Sequence, residues 1–306
     1  MQTYQRMTVK NIINFANPKS FVASVIPAIF GILLSLKFGY SISLIRALAL
    51  IFACVFFQAS VNTINDYSDF VNGVDSIDDN LKEDDNVMFY NHIRPKSVDN
   101  LGWIFLGLGI GLGLLALDGI NYASIVIGII ATLTVLFYSK GPFPISYLPI
   151  GELTSGLVMG GLIPLGVNAT ISGRLNPEIL AHSLPFILGI ALIMMSNNAS
   201  DIEKDKRAKR YTLAVVMGRE KVRILYKITV GLWIVSQLVL TYYLLGYLFL
   251  GINLILFMIK GEFLKNLIFA SLLPEARIGQ MMGIGMANVL INGTYLLCLA
   301  LSFIGS

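Results

Sequence analysis

The sequence predicts an all-α polytopic membrane protein: a bundle of nine transmembrane helices around a central cavity open to the cytoplasmic side. Three observations carry that expectation. Of 306 residues, 56% are hydrophobic and only 13% charged, with a mean hydropathy of +0.74, the composition of an integral membrane protein. Nine mostly apolar runs approach the roughly 20 residues that a helical span requires. Two of these runs close on clusters of Asn and Asp, and carboxylates at the end of a span are costly without a partner.

The runs lie at 17–36, 43–65, 101–118, 121–139, 150–171, 181–199, 223–244, 246–260 and 282–304. Residues 1–16 hold no short apolar core followed by a small-residue cleavage site, so no secretory signal is expected. There Met7, Val9, Ile12, Ile13 and Phe15 are interleaved with Arg6 and Lys10, the pattern of an amphipathic helix at a membrane surface. Lys260, Glu262 and Lys265 interrupt the eighth run. It either continues towards Leu273 or lies in the interface. Gly107, Gly109, Gly111 and Gly113, and Gly156, Gly160 and Gly161, are placed to allow close helix packing. Cys54 and Cys298 fall inside runs and read as small packing residues rather than a disulfide or zinc site.

Orientation follows from the basic residues. With the N-terminus inside, only Lys37, Arg46 and Arg174 of the 22 lysines and arginines fall on the outer side, as the positive-inside rule requires. The expected location is the cell membrane, multi-pass, with both Asp clusters on the cytoplasmic face. The net charge of +4 then reflects topology and attraction to anionic lipid, not nucleic-acid binding. Three inner loops are long, at about 67–100, 200–222 and 261–281. The first is acidic (Asp75, Asp78, Asp79, Glu83, Asp84, Asp85). The second is basic (Lys204, Lys206, Arg207, Lys209, Arg210). The clusters end the second and sixth runs, a weak internal repeat that would set them facing each other across the bundle. The whole chain, 1–306, reads as a single membrane-embedded domain.

The first cluster is Asn62, Asn65, Asp66 and Asp69; the second is Asn197, Asn198, Asp201 and Asp205. Each has an Asn four residues before an Asp, Asn62 to Asp66 and Asn197 to Asp201, a spacing that puts both on one helix face. Two all-oxygen sets suit hard divalent cations, and Mg²⁺ commonly takes a few carboxylates plus phosphate oxygens. Capped, solvated helix ends are the plainer reading for a single Asp. Arg94, Lys140, Lys206 and Arg207 are candidate diphosphate ligands, Arg by paired hydrogen bonds. Lys206 and Arg207 read equally well as positive-inside residues, and Lys209, Arg210, Arg219, Lys221 and Arg223 as topological. Tyr67 and Tyr138 can offer a ring face to a carbocation or belong to an interfacial belt, the stronger reading for Tyr211. Glu152 can hold a proton or an acceptor hydroxyl, or form a salt bridge. His92 and His182 receive no role.

At these residues the chain resembles the UbiA superfamily of intramembrane prenyltransferases. The resemblance rests on Asn62-x-x-Asn65-Asp66-Tyr67-x-Asp69 with Gly73 and Asp75, and on Asn197-Asn198-x-x-Asp201-x-x-x-Asp205. The stretch Tyr138 to Glu152 is similar to the MenA branch, the 1,4-dihydroxy-2-naphthoate polyprenyltransferases of menaquinone biosynthesis. The chain departs from that branch at Ser200, at Lys140-Gly141 and in the acidic stretch before Arg94. The resemblance implies a Mg²⁺-dependent transferase, with two ions held by Asp66, Asp69, Asp201 and Asp205. Asn62, Asn65, Asn197 and the bases would bind a polyprenyl diphosphate. Tyr67 or Tyr138 would steady an allylic cation that an aromatic acceptor attacks, while the prenyl tail lies in an apolar channel open to lipid. Other acceptors of the superfamily (4-hydroxybenzoate, haem, a lipid glycerol phosphate) are alternatives. A secondary transporter is the rival class, but transporter carboxylates lie near the midplane.

Overall fold

The computed structural model describes residues 4–74 and 87–304. The acidic stretch with Asp75, Asp78, Asp79, Glu83, Asp84 and Asp85 lies outside the described residues. Among those described, secondary structure is helical apart from one isolated parallel bridge between Gln5 and Ile93.

Helix α1 (Val9–Ala16) opens with a capping box, in which Thr8 and Asn11 satisfy each other's backbone N–H groups. Its two sides differ as its sequence requires: Phe15 is fully buried, while Val9 and Ile13 are exposed. Asn17 turns left-handed (φ 50°), and a 3₁₀ turn begun by Pro18 leads into α2 (Val22–Lys37). The Ser43 hydroxyl caps α3 (Leu44–Val71) by accepting from the Arg46 N–H. A short α4 (Val87–Asn91) precedes α5 (Pro95–Leu115), which starts on a proline whose missing N–H costs nothing there. Asn121 caps α6 (Tyr122–Ser139). Next, α7 (Gly151–Ser155) runs through a π-helical stretch, Gly156–Leu162, into α8 (Ile163–Ser172).

The second half begins with α9 (Glu178–His182), α10 (Leu184–Ser200), α11 (Ile202–Arg207) and α12 (Leu213–Met217). It ends with α13 (Arg219–Leu245), α14 (Tyr247–Ile259), α15 (Gly261–Ile268) and α16 (Arg277–Leu301). All nine apolar runs are helical. Among the described residues, seven helical stretches are long and apolar enough to cross a membrane by length and composition. Helix α10 is a shorter apolar helix of 17 residues. Helices α14 and α15 bend by 74° where the charged interruption falls at Lys260, as one broken span or a re-entrant loop.

Helix α10 stands at the centre, packed on the π-helical stretch, α13 and α16. Gly160 makes this approach possible, because a Cβ there would lie 2.4 Å from the Ile187 backbone N, and one on Gly156 would lie 2.6 Å from the Ile187 carbonyl O. Small residues are how helices gain contact in lipid, where no hydrophobic drive separates them from the tails. The expectation fails at Gly107, Gly111 and Gly113, where an added Cβ would meet open space, whereas Gly109 does meet Phe57. Phe186 of α10 joins α2 to α16 through rings 4.5 Å from Phe30 and 6.0 Å from Tyr295. Helix α13 shows both solvents at once. Tyr226, Val230, Trp233 and Gln237 are buried, while Ile228, Leu232, Val235 and Val239 form an exposed apolar stripe, the surface a helix offers to lipid.

Candidate active site

Both Asp clusters lie at the same end of the bundle. Helix α3 carries the first on an unbroken helix. The Asn65 amide donates to Asp69 across one turn (3.0 Å), and the Ser139 hydroxyl at the end of α6 donates to the Asn65 carbonyl oxygen (2.7 Å). Asp69 is buried and Asp66 half-buried. Asn62 is committed elsewhere. Its amide donates to the Ala16 carbonyl and the Ser20 hydroxyl, both at 2.8 Å, so it ties α3 to the corner between α1 and α2.

The second cluster sits where a helix breaks. Helix α10 stops at Ser200, Asp201 caps it, and α11 restarts at Ile202. Arg277, at the start of α16, donates to both Asp201 oxygens (2.8 and 3.0 Å) and to the Asn197 carbonyl oxygen (2.8 Å). Beyond α11 the chain turns back at Lys209 (φ 54°), and the Arg210 N–H donates to the Asp205 carbonyl (2.8 Å). The Arg210 guanidinium thereby falls between the clusters, 3.7 Å from Asp69 and 3.5 Å from Asp205. It lies over the Tyr147 ring, 5.1 Å from its centre. The Thr212 hydroxyl donates to the other Asp205 oxygen (3.2 Å). Burial pushes the Asp205 carboxyl up to about 6 against the opposing pull of Arg210. Burial also raises the Tyr147 phenol, reinforced by the nearby Asp69 charge.

Beside the second cluster lies Glu152, only 2% exposed. Its Oε1 accepts from the Asn198 amide (2.9 Å), while its buried Oε2 has no hydrogen-bond partner. One helical turn on, the Tyr138 phenol meets the Ser155 hydroxyl at 3.0 Å. Since Ser155 donates to the Gly151 carbonyl (2.9 Å), the phenol is the donor in that pair.

The structure corrects several sequence expectations. Arg210, read as topological, lies at the centre of the site, because the left-handed turn at Lys209 reverses the chain. Arg277 was missed altogether: it lies far along the chain, and no local spacing links it to Asp201. Tyr147 also joins the site only through the fold, and Asn198, named in the second cluster, meets Glu152 there. Lys140 is paired with Asp99 and stacked over Tyr67 (5.0 Å) and Trp103 (5.5 Å), so its charge is already matched. Arg94, Lys206 and Arg207 are exposed, Arg94 as the residue that precedes α5. His182 is buried just before the start of α10, at the end away from its cluster, beside Phe38 and Tyr243.

The donor set fits a hard divalent cation: carboxylate and amide oxygens, with no thiol or imidazole among them. Among the described residues no three acids, histidines or cysteines are gathered in a metal cage. Here the carboxylates of Asp69, Asp201 and Asp205 face arginines instead.

Residues 24–265 match the model of the UbiA prenyltransferase family, and the chain belongs to that family. The 1,4-dihydroxy-2-naphthoate octaprenyltransferase of Bacillus subtilis (strain 168) is 30% identical over 203 residues, 66% of this chain and 64% of that protein. The enzyme of the same name from Mycobacterium tuberculosis is 31% identical over 183 residues, 60% of this chain and 61% of that protein. The chain thus aligns with a little under two thirds of the length of these relatives. A UbiA homologue from Archaeoglobus fulgidus bound to DMAPP and Mg²⁺ superposes with a TM-score of 0.64 at 16% identity, over 95% of this chain and 99% of that one. An apo UbiA homologue from Aeropyrum pernix K1 gives 0.65 at 13% identity, over 93% and 96%. At these identities the likeness is one of fold. The chain is a multi-pass membrane protein.

Proposed function

We propose that this chain is a Mg²⁺-dependent prenyltransferase that moves a polyprenyl group from its diphosphate to 1,4-dihydroxy-2-naphthoate. The observation that carries the reading is the meeting of two Asp clusters, from the two halves of one chain, around Arg210 at one end of an apolar bundle. That is a headgroup-level site for a polyanion with a lipid tail. The naphthoate relatives and the prenyl diphosphate and Mg²⁺ in the Archaeoglobus homologue support the same reading.

In this proposal Asp66, Asp69, Asp201 and Asp205 hold two Mg²⁺ ions, with Asn65 and Asn197 beside them. Bound Mg²⁺ would supply Lewis-acid neutralisation of the diphosphate leaving group. Arg277 keeps Asp201 and Asn197 aimed together, and Asn62 positions α3. Arg94, Lys206 and Arg207 add positive charge at the exposed rim. Lys140 is held beside Tyr67, and the rings of Tyr67 and Tyr138 steady the allylic cation. The unpartnered Glu152 oxygen accepts the acceptor's hydroxyl proton. The prenyl tail lies among the apolar helices, in a channel open to lipid. The whole chain acts as one domain in the cell membrane, its site facing the cytoplasm.

The test is a transfer assay on purified protein with Mg²⁺, a prenyl diphosphate and either 1,4-dihydroxy-2-naphthoate or 4-hydroxybenzoate. A prenylated naphthol that disappears with EDTA supports the proposal. Transfer to 4-hydroxybenzoate alone would move the acceptor. No turnover, and no metal-dependent diphosphate binding, would return the transporter reading.

A further inference from the structure

The two clusters are joined by a cation that belongs to the chain itself. Arg210 stands 3.7 Å from Asp69 and 3.5 Å from Asp205, within reach of strong attraction but beyond hydrogen-bond length. Its buried Nε has no hydrogen-bond partner, and its firmest contact is a 3.4 Å donation from Nη2 to the Ser146 carbonyl. A contrast lies close by: Arg219 grips Glu203 fork to fork, with both bonds at 2.8 Å. That is how a guanidinium binds a carboxylate it is meant to keep. Arg210 is instead held by charge, between acids supplied by different halves of the fold. The guanidinium carries its charge in any setting, so both carboxylates face a fixed cation.

We infer that Arg210 is a placeholder cation: it keeps Asp69 and Asp205 in register in the empty protein. It then transfers to a diphosphate oxygen when a metal–diphosphate complex takes the two carboxylates. This inference rests on the function proposed above. A divalent cation arriving alone meets a guanidinium already among its ligands, and like charges repel. A metal arriving with a polyanion meets a group able to bind that polyanion by parallel N–H bonds. The backbone need not move. The Tyr211 N–H donates to the Tyr147 carbonyl (2.9 Å) and fixes the strand of chain on which Arg210 sits. Beneath the guanidinium, the Tyr147 ring offers a face that attracts it in either position. The consequence is linkage: metal and prenyl diphosphate bind weakly apart and strongly together, each raising the other's affinity by the same factor.

The experiment titrates Mn²⁺, as a spectroscopic probe, into purified protein with and without a non-transferable prenyl thiodiphosphate. In the native protein the thiodiphosphate is expected to tighten Mn²⁺ at least about tenfold. R210Q is expected to bind Mn²⁺ alone about tenfold more tightly than native, and to show a smaller thiodiphosphate effect. R210K, which keeps the charge but not the fork, is expected to fall between them and carries the test if R210Q does not fold. If the folded variants bind Mn²⁺ alone no more tightly than native, the placeholder is overturned, while the native thiodiphosphate effect leaves the prenyltransferase reading standing. If the native protein shows no thiodiphosphate effect, both fall together.

Discussion

The two Asp clusters look like copies in sequence and are built differently in space. The first rides on 28 residues of uninterrupted helix, and its internal bond runs from Asn65 to Asp69. The second spans a break between two helices, and its Asn197 and Asp201 are joined by Arg277 from the far end of the chain. Equal spacing therefore does not mean equal pairing. In the first cluster, the matching Asn62 turns away to hold the start of α2. The lesson is one of division of labour: a straight helix offers a fixed set of oxygens, and a broken one brings arginines to meet them.

The largest effects should come from the acids themselves. Asp69→Asn and Asp205→Asn are each expected to lower prenyl transfer by about 100- to 1000-fold, the scale of losing one preorganised electrostatic group. Because both acids face Arg210, the double variant should lose much less than the product of the two. A fully multiplicative loss in a steady-state assay would mean that the clusters act separately. Next comes the packing of the π-helical stretch on α10, the helix that ends in the second cluster. Gly160→Ala should cost about 1–3 kcal/mol through its collision with the Ile187 backbone. Gly107→Ala, facing open space, should stay within about 0.5 kcal/mol. Thermal unfolding in detergent distinguishes the two.

Glu152→Gln keeps the shape and the Asn198 contact but removes the charge. It should raise the acceptor KM or lower turnover by about tenfold, while thiodiphosphate binding stays as in the native protein. Loss of thiodiphosphate binding would instead put Glu152 with the metal ligands. A smaller effect follows from Asp205. Its carboxyl, raised to about 6, keeps its proton in the folded protein where an unfolded chain has released it. Stability of the metal-free protein should therefore fall as pH rises from about 4 to 6, and Asp205→Asn should flatten that slope. Smallest is the rim: Lys206→Ala, at an exposed position, should change diphosphate affinity by about twofold.

The helices and the shared end for both clusters were legible in the sequence, because each depends on local patterning. Apolar run length gave the helices, and the Asn/Asp clusters closed their runs at the ends. The arginines were not legible. Arg210 sits in a basic run, Lys204 to Arg210, where every lysine and arginine fits the positive-inside rule equally well. What singles it out is a left-handed residue, Lys209, with no glycine to announce it. Arg277 offered no signal at all, since its partners lie 76 and 80 positions away. Lys140 misled for the opposite reason: its neighbours in sequence are aromatic and apolar, and Asp99 meets it only through the packing of α5 beside α6.

The π-helical stretch Gly156–Leu162 sets the phase of the span that carries it. Before it, Glu152 faces Asn198; after it, Asn168 donates to Ser35 near the opposite end of the bundle (2.8 Å). A residue added to a helix rotates everything beyond it by about 100°. Deleting one residue from this stretch would let the helix close to ordinary pitch and leave one of those two contacts facing the wrong neighbour. The wide stretch thus acts as an angular spacer, letting a single helix serve one partner near the headgroups and another across the membrane.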